Sequence, residues 1–497
     1  MSTFYTSVDR NGPHILFRGY KNGKRIQEKV PYKPTFYLPS SEPTEFKTLD
    51  GRYMGPINPG NMKDCMKFMK DYEDVDNFEI CGNANYVQQF ISDAFLDKKL
   101  EFDRDLINVT TVDIEVQSDQ GFPEAADANF PVTAICVKNN IDNIFYVFGL
   151  GEWKKEDSVL TDDLYDRVKY IECESEARLL MEFVTHWANN YPDVLTGWNS
   201  RMFDTVYLVN RISKVLGDDM AKKLSPWNRI QAREIKYSSK TVPVYELIGI
   251  QQLDFMDCFK KFGYAYGTQE SYKLDNIAHV VLGENKIDYT EYGTLFDLYL
   301  RNHQLFIDYN IKDVDIVDRL EHKTGLITLA MTVAYKAHVN MVDAFGSVGV
   351  WDALLYNELR TRGIVVPPKK NNIKERQIEG AYVKPPQNGM HDWVVSFDLN
   401  SLYPHIIMQY NMSPETIIND KMHDVNVEKL LDREKYDIPD DYCMTATGQF
   451  FDKKKKGIVP EVISNLYDER STFKKEMLAA SQVVVDITAE LQRRGVE

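Results

Sequence analysis

Asp113 and Glu115 stand two residues apart inside an apolar run, Val109-Thr-Thr-Val-Asp-Ile-Glu-Val116. Residues i and i+2 of a strand point to the same face, so the run predicts two carboxylates side by side among Val112, Ile114 and Val116. Unneutralised acids there are costly, and each raises the other's pKa unless they share a cation. Oxygen donors with no Cys or His nearby select Mg²⁺ or Mn²⁺. Two further segments bring matching groups. In Leu195-Thr-Gly-Trp-Asn199-Ser-Arg-Met-Phe203-Asp204 a strand ends and a helix starts at Asp204. In Tyr309-Asn-Ile-Lys-Asp313 the i, i+4 spacing puts phenol and carboxylate on one helix face. Four acids and a phenol supply what metal-assisted phosphodiester hydrolysis needs. The pairs Asp313-Val-Asp315 and Asp74-Val-Asp76 look similar, but Asp315 and Asp76 read as solvated helix or turn acids.

A second centre is half present. In Val395-Ser-Phe-Asp398-Leu-Asn-Ser-Leu-Tyr403-Pro404-His-Ile-Ile407, Asp398 would emerge at the end of a strand predicted at Trp393–Phe397. This string supplies a single carboxylate, and no second acid motif of this kind follows before Glu497. Arg470 and Lys474 lie four apart on a predicted helix, hence on one face.

The elements that must position these groups can be read from pattern. Short β-rich runs (Phe4–Val8, Thr35–Leu38) separated by turns such as Asn22-Gly23 and Asn58-Pro59-Gly60 predict a small mixed domain up to about residue 107. From 108 to 325 an α/β pattern follows, with strands at Val109–Val116 and Val132–Val137 and helices over Glu174–Asn189 and after Asp204 and Asp275. Residues 326–361 read as apolar helices, and Pro367-Pro368-Lys-Lys-Asn-Asn as a linker. Strands are expected at Ala381–Val383 and Trp393–Phe397. From Glu461 to Arg494 no Gly or Pro intervenes. There Ile463, Leu466, Phe473, Met477, Val484 and Leu491 recur at three-, four- or seven-residue intervals, predicting one long amphipathic helix.

At 497 residues the chain is too long for one core, and 43% hydrophobic residues exclude a disordered class. No run of eighteen apolar residues predicts a membrane helix. The start has no basic and apolar leader, so a cytoplasmic location is expected. Six cysteines, at 65, 81, 136, 173, 258 and 443, lack metal-site spacing and read as reduced thiols. A net charge of −16 argues against strong nonspecific polyanion binding. The local clusters Lys21-Asn-Gly-Lys24-Arg25 and Lys453–Lys456 read as solvated turns or phosphate contacts.

The three acidic segments, in order, resemble the exonuclease motifs of the proofreading superfamily, and the Asp398 string resembles the first polymerase motif of family B DNA polymerases. The match runs from Met1 to Glu497, on the pattern of the T-even bacteriophage enzymes. The fold this implies is α/β (multi-domain α+β): a ribonuclease H-like exonuclease domain (108–325), a small N-terminal mixed domain (1–107, completed by 326–370), a partial palm (371–456) and a first fingers helix (457–497).

The resemblance assigns Asp113, Glu115, Asp204 and Asp313 to two Mg²⁺ or Mn²⁺ ions, with Tyr309 orienting the attacking water. A phenol pKa near 10 makes Tyr309 a poor base alone. Nucleoside 5′-monophosphates would be released from DNA 3′ ends. Phe122, in Gly121-Phe122-Pro123, resembles a wedge at the exonuclease mouth, with Asn199 and Phe203 also on the DNA. Arg233–Glu246, turning at Ser238-Ser-Lys240, resembles the hairpin that helps move a primer end. Asp398 and Leu399 would bind polymerase-site metals, the latter by its carbonyl. Ser401, Leu402 and Tyr403 would hold the dNTP triphosphate through backbone amides, Tyr403 excluding a 2′-hydroxyl, while Arg470 and Lys474 meet the triphosphate. Two departures stand out: Ile378-Glu-Gly380-Ala381 lacks the family's tyrosine, and His405 replaces a serine.

A second fingers helix with K-x-x-x-N-S-x-Y-G, a palm hairpin with Y-G-D-T-D-S and the thumb do not occur in the 497 residues. The expected partner is therefore a C-terminal polymerase polypeptide, and the expected whole a split or truncated polymerase, inactive in synthesis alone. Primer-template DNA, a single-stranded 3′ end and dNTP are the expected ligands, with a sliding clamp reached through that partner. Two other readings stay open: a standalone exonuclease, and a regulator binding its own mRNA through the N-terminal domain.

Overall fold

A computed structural model describes residues 3–73, 75, 78–96, 100–119, 121–237, 240–368, 380 and 383–495. By internal contacts the chain falls into two compact units. The first holds residues 1–36 and 56–357, the second 37–55 and 358–497.

The first unit opens with an antiparallel meander, β1 (Thr3–Asn11), β2 (His14–Lys21) and β3 (Lys24–Pro31). Its tight turn is Asn22-Gly23, both at positive φ. A small sheet follows in the order β4 (Phe36–Pro39), β6 (Tyr53–Ile57), β5 (Phe46–Lys47), most of it in the second unit. Helices α1 (Met62–Asp71) and α2 (Tyr86–Phe95) start at Asn61 and Asn85, whose side chains accept backbone amide hydrogen bonds from the first turn.

The central sheet is built from β7 (Val109–Val116), β8 (Val132–Asn139), β9 (Phe145–Leu150), β10 (Val168–Cys173), β11 (Val194–Thr196) and a late strand, β14 (Gln251–Gln252). Its order is β10-β9-β8-β7-β11-β14. β8 is antiparallel to both neighbours, while β11 runs parallel to β7. The intervening and following helices are α3 (Asp162–Tyr165), α4 (Glu176–Asn189), α5 (Asp204–Leu216) and α6 (Asp218–Lys222). A hairpin, β12 (Ile230–Tyr237) and β13 (Lys240–Leu247), pairs Arg233 with Val244, and its predicted turn residues Ser238 and Ser239 lie outside the described residues. After β14 (Gln251–Gln252) come α7 (Phe255–Phe262), α8 (Leu274–Leu282), α9 (Leu295–Arg301), α10 (His303–Thr324), α11 (Leu326–Ala337) and α12 (Ser347–Thr361).

Strand alternation explains the layers. Val112 and Ile114 pack on one face against Leu179, Phe183, Tyr207 and Leu208 of α4 and α5. On the other face Ala134 and Cys136 meet Phe306, Ile307 and Val314, all from α10. Asp113 and Glu115 pair in register with Cys136 and Ala134, so they point to the α10 face. Asp315, expected to be solvated, is instead 4% exposed and ion-paired with Lys312 and Arg319; burial on α10 demands those partners. Asp74 and Asp76 differ here, because both lie outside the described residues.

Asp193, ahead of β11, locks the meander to this sheet. Its carboxylate accepts hydrogen bonds from Thr6, Tyr20, Arg25 and the Asn108 amide, with Arg18 beside it. Arg25 therefore serves the core, whereas Lys21 and Lys24 stay exposed in the turn.

The second unit includes α13 (Leu402–Gln409), a sheet of β15 (Ile417–Lys421), β17 (Gln449–Asp452) and β16 (Tyr442–Met444), the short helix α14 (Val427–Leu431), and α15 (Ile458–Arg493). Lys453–Lys456 form an exposed turn before α15, with Lys454 paired to Asp441. The strand predicted at Trp393–Phe397 does not form, and Trp393 and Phe397 are 98% and 89% exposed. A strand needs a ladder partner, and no described strand lies beside this segment. Val383 is likewise in no strand, while Ile378, Ala381 and Tyr382 lie outside the described residues. All six cysteines are free. Among the described residues no helix is long and apolar enough to cross a membrane.

Candidate active site

Three elements of the first unit meet at one end of the central sheet. β7 contributes Asp113 and Glu115, and α10 contributes Asp313 from the facing layer. One carboxylate oxygen of each lies within 4.8 Å of the others. Asp204, first residue of α5, joins them from the side: its Oδ1 accepts the Ile114 amide at 3.0 Å, between the two β7 acids. This close approach requires Gly197, because a Cβ there would lie 2.5 Å from the Val112 carbonyl oxygen.

Burial, with the neighbouring acids adding to it, makes the cluster resist ionisation. Asp113 is pushed well above the carboxylate range by burial, then by Asp204, Asp313 and Glu115. Burial and then Asp313 push Glu115 up to about 8. Asp204 rises to about 7 by burial, moderated by the Ile114 amide. Asp313 rises to about 6 by burial, with Lys286 opposing. The buried Asp313 Oδ1 has no hydrogen-bond partner. Clustered, desolvated, all-oxygen donors with an orphaned acceptor fit hard divalent cations.

Tyr309 is 7% exposed, edge-on to Tyr289 at 5.3 Å between ring centres. Burial, then Asp313 and Glu115, push its phenol far above its usual value, so it keeps its proton at neutral pH.

Sequence pattern missed three members of this site. Lys286 pairs with Asp313 at 2.5 Å, its ammonium 4.5 Å from the Tyr309 ring centre. Burial opposes its charge, but Asp313, Asp113 and Glu115 outweigh that and raise its pKa. No spacing rule points to it, because it comes from the connector after α8. Asn310 donates from Nδ2 to Asp113 at 2.7 Å, and its place beside Tyr309 was the available signal. Asp254 accepts the backbone amides of Asn199, Arg201 and Met256 at 3.0–3.1 Å, pinning the loop before Asp204 to α7. An Asp ahead of an amphipathic run is a helix-start signal that could have found it.

The DNA-contact candidates border this loop. Asn199 adopts a left-handed φ of 63°. Phe122 is 81% exposed, its ring 4.7 Å from that of Phe203, which leans on Tyr207.

The second unit holds the polymerase-motif residues. Asp398 and Leu399 lie exposed outside any element, and among the described residues the Asp398 carboxylate has no ion pair or hydrogen bond. Ser401, at φ 52°, precedes α13, whose first residues are Leu402 and Tyr403; Tyr403 is 69% exposed. His405 has a structural contact, its ring edge-on to Tyr467 of α15 at 4.9 Å. Arg470 and Lys474 are exposed one turn apart on α15.

The family model for the exonuclease domain of family B DNA polymerases matches residues 82–277, and that for DNA polymerase family B matches 346–492. The DNA-directed DNA polymerase of Escherichia phage RB69 is 32% identical over 506 residues, covering 97% of this chain and 55% of the relative. That of Enterobacteria phage T4 is 31% identical over 498 residues, covering 96% and 54%. The DNA polymerase delta catalytic subunit of Bos taurus is 28% identical over 320 residues, covering 61% and 27%. The chain spans about half the length of the curated phage relatives it matches. With an exonuclease-domain match across its acid-bearing sheet and a polymerase-domain match across the Asp398 segment, this chain belongs to the family B DNA polymerases.

Proposed function

We propose that the chain is the N-terminal portion of a replicative family B DNA polymerase, and that its first unit is a 3′–5′ exonuclease that trims DNA 3′ ends. The observation that carries this reading is the convergence of Asp113, Glu115 and Asp313 within 4.8 Å, with Asp204 tethered between the two β7 acids. In this reading those four acids hold two Mg²⁺ or Mn²⁺ ions. When bound, such ions acidify water and stabilise charge on phosphoryl oxygens. The chain's own groups do the rest. Asn310 fixes the Asp113 carboxylate, and Lys286 balances the charge of Asp313. The protonated Tyr309 hydroxyl orients the nucleophilic water as a hydrogen-bond partner, and Phe122, Asn199 and Phe203 hold the frayed strand.

The domain division we propose is 1–107 with 326–370, 108–325, 371–456 and 457–497. Asp398 and Leu399 are the first metal ligands of the polymerase site, whose second acid comes from a C-terminal portion with the second fingers helix and thumb. Ser401, Leu402, Tyr403, Arg470 and Lys474 bind the dNTP. Primer-template DNA is the substrate, a sliding clamp is reached through the C-terminal portion, and the host cytoplasm is the place of action.

The test is degradation of a 5′-labelled single-stranded oligonucleotide. Cleavage should proceed from the 3′ end, stop with chelator and return with Mg²⁺ or Mn²⁺. Asp113→Ala with Glu115→Ala should lower the rate by several orders of magnitude with the chain still folded. Undiminished cleavage by that folded double variant would assign the activity elsewhere.

A further inference from the structure

Lys286 reaches the carboxylate cluster from the start of the connector between α8 and α9, where residues 283–286 are each tied down. Gly283 ends α8 at φ 79°, its amide donating to the Ala278 and His279 carbonyls at 3.1 and 3.0 Å. A side chain there would be strained, which suits glycine. Asn285 donates to Asp275 at 3.2 Å, and the Lys286 amide donates to Asp275 at 2.8 Å. Lys323 of α10 reaches back to the Val281 carbonyl at 2.5 Å.

Glu284 is the strongest tie. Its carboxylate accepts from Lys312 and from Arg319 Nη1, both at 2.9 Å, and Arg319 Nη2 closes a second contact. Lys312 and Arg319 lie about one and three turns along α10 from Tyr309, on the helix that also carries Asp313. Behind them Asp315, its side chain 5% exposed, contacts Lys312 at 3.4 Å and Arg319 at 3.2 Å. The four groups make a closed charge network with two cations and two anions. Bidentate, charge-assisted contacts of this kind fix geometry as well as add energy.

We propose that Glu284, backed by Asp315, is a positioning residue for hydrolysis: it staples the α8–α9 connector to α10 so that the Lys286 ammonium stays against Asp313 and the Tyr309 ring. The proposal rests on the exonuclease reading of the site. It also gives Asp315 a role, since its burial orders the two cations that grip Glu284.

The experiment compares single-stranded DNA hydrolysis by E284A, K286A and E284A/K286A chains at saturating Mg²⁺. E284A should lower kcat about tenfold to a hundredfold, as displacement of a reacting-site group by about 1 Å does, with KM and the unfolding temperature little changed. The double variant should be no slower than K286A alone, because Glu284 acts only through Lys286. Amide exchange over 283–286 should quicken in E284A. Additive losses in the double variant, or full kcat in E284A, would overturn the proposal. Should E284A fail to fold, E284Q carries the same comparison, since it keeps an acceptor for Arg319 and loses the charge. The two readings fail separately: an active D113A/E115A chain sinks the exonuclease assignment, whereas an inactive one beside a fully active E284A sinks only the clamp.

Discussion

Glu115, Asp204 and Asp313 keep their protons to higher pH in the folded chain than in the unfolded one. Their folded values are about 8, 7 and 6, against about 4 in an unfolded chain. Raised carboxylates contribute stability that is complete below about pH 4 and is lost as pH rises through the folded values. Without metal, the unfolding temperature should therefore fall between pH 5 and pH 8. On the proposed reading Mg²⁺ binds the ionised cluster, so it should raise the unfolding temperature far more at pH 8 than at pH 5. Equal Mg²⁺ shifts at both pH values in calorimetry would rule out the cluster as the binding site. Asp254, raised to about 7 by burial and then by Asp257, in turn raises Asp204, so it adds to the same loss. A different residue-scale effect is expected at Asp193. Asp193→Ala leaves Arg18, 1% exposed, without its anion, and removing one partner of a buried pair costs about 3–5 kcal/mol. Urea unfolding should show that loss, and a change below ~1 kcal/mol would mean that the carbonyls of Pro192 and Gly249 suffice for Arg18.

Two helices deserve comparison. α10 is covered along most of its length, and Phe306, Ile307, Ile311 and Val314 are buried against the sheet. This rigid seating aims Asp313 at β7. α15 is the opposite case. Its first turns bury Ile458, Val462 and Ile463, but Phe473, Met477 and Val484 are 66%, 58% and 63% exposed. At 36 residues it is about 54 Å long, and helices gain most of their stability from packing an apolar face. We predict fast amide exchange over residues 475–495 in the isolated chain and protection once the proposed C-terminal portion is bound. Equal protection in both states would mean that this stripe does not receive that portion.

For the whole molecule, the two units carry different degrees of completeness. The first gathers four acids from three elements, while Asp398 in the second is exposed and, among the described residues, makes no ion pair. Primer extension by the isolated chain should be undetectable and should appear on adding the C-terminal portion. In that pair, Asp398→Ala should abolish extension and spare exonuclease cleavage. Robust extension by the isolated chain would overturn the half-site reading of the palm.

The local features of this protein were legible in its sequence wherever a short-range rule decides them. Alternation in Val109–Val116 placed Asp113 and Glu115 on one face, helical spacing joined Tyr309 to Asp313, and an uninterrupted periodic run announced α15. Other matters depended on residues far apart in the chain. The face of β7 that meets α10, the insertion of Asp204 onto the Ile114 amide and the arrival of Lys286 at Asp313 are set by packing across some 27 to 200 residues. Asp315 shows the same limit: its charge reads as solvated until α10 is seated and Lys312, Arg319 and Glu284 close around it. Trp393–Phe397 shows the converse. Its apolar, β-favouring residues satisfy the local rule for a strand, yet hydrogen bonding to a neighbour decides whether one forms, and no described strand lies beside it.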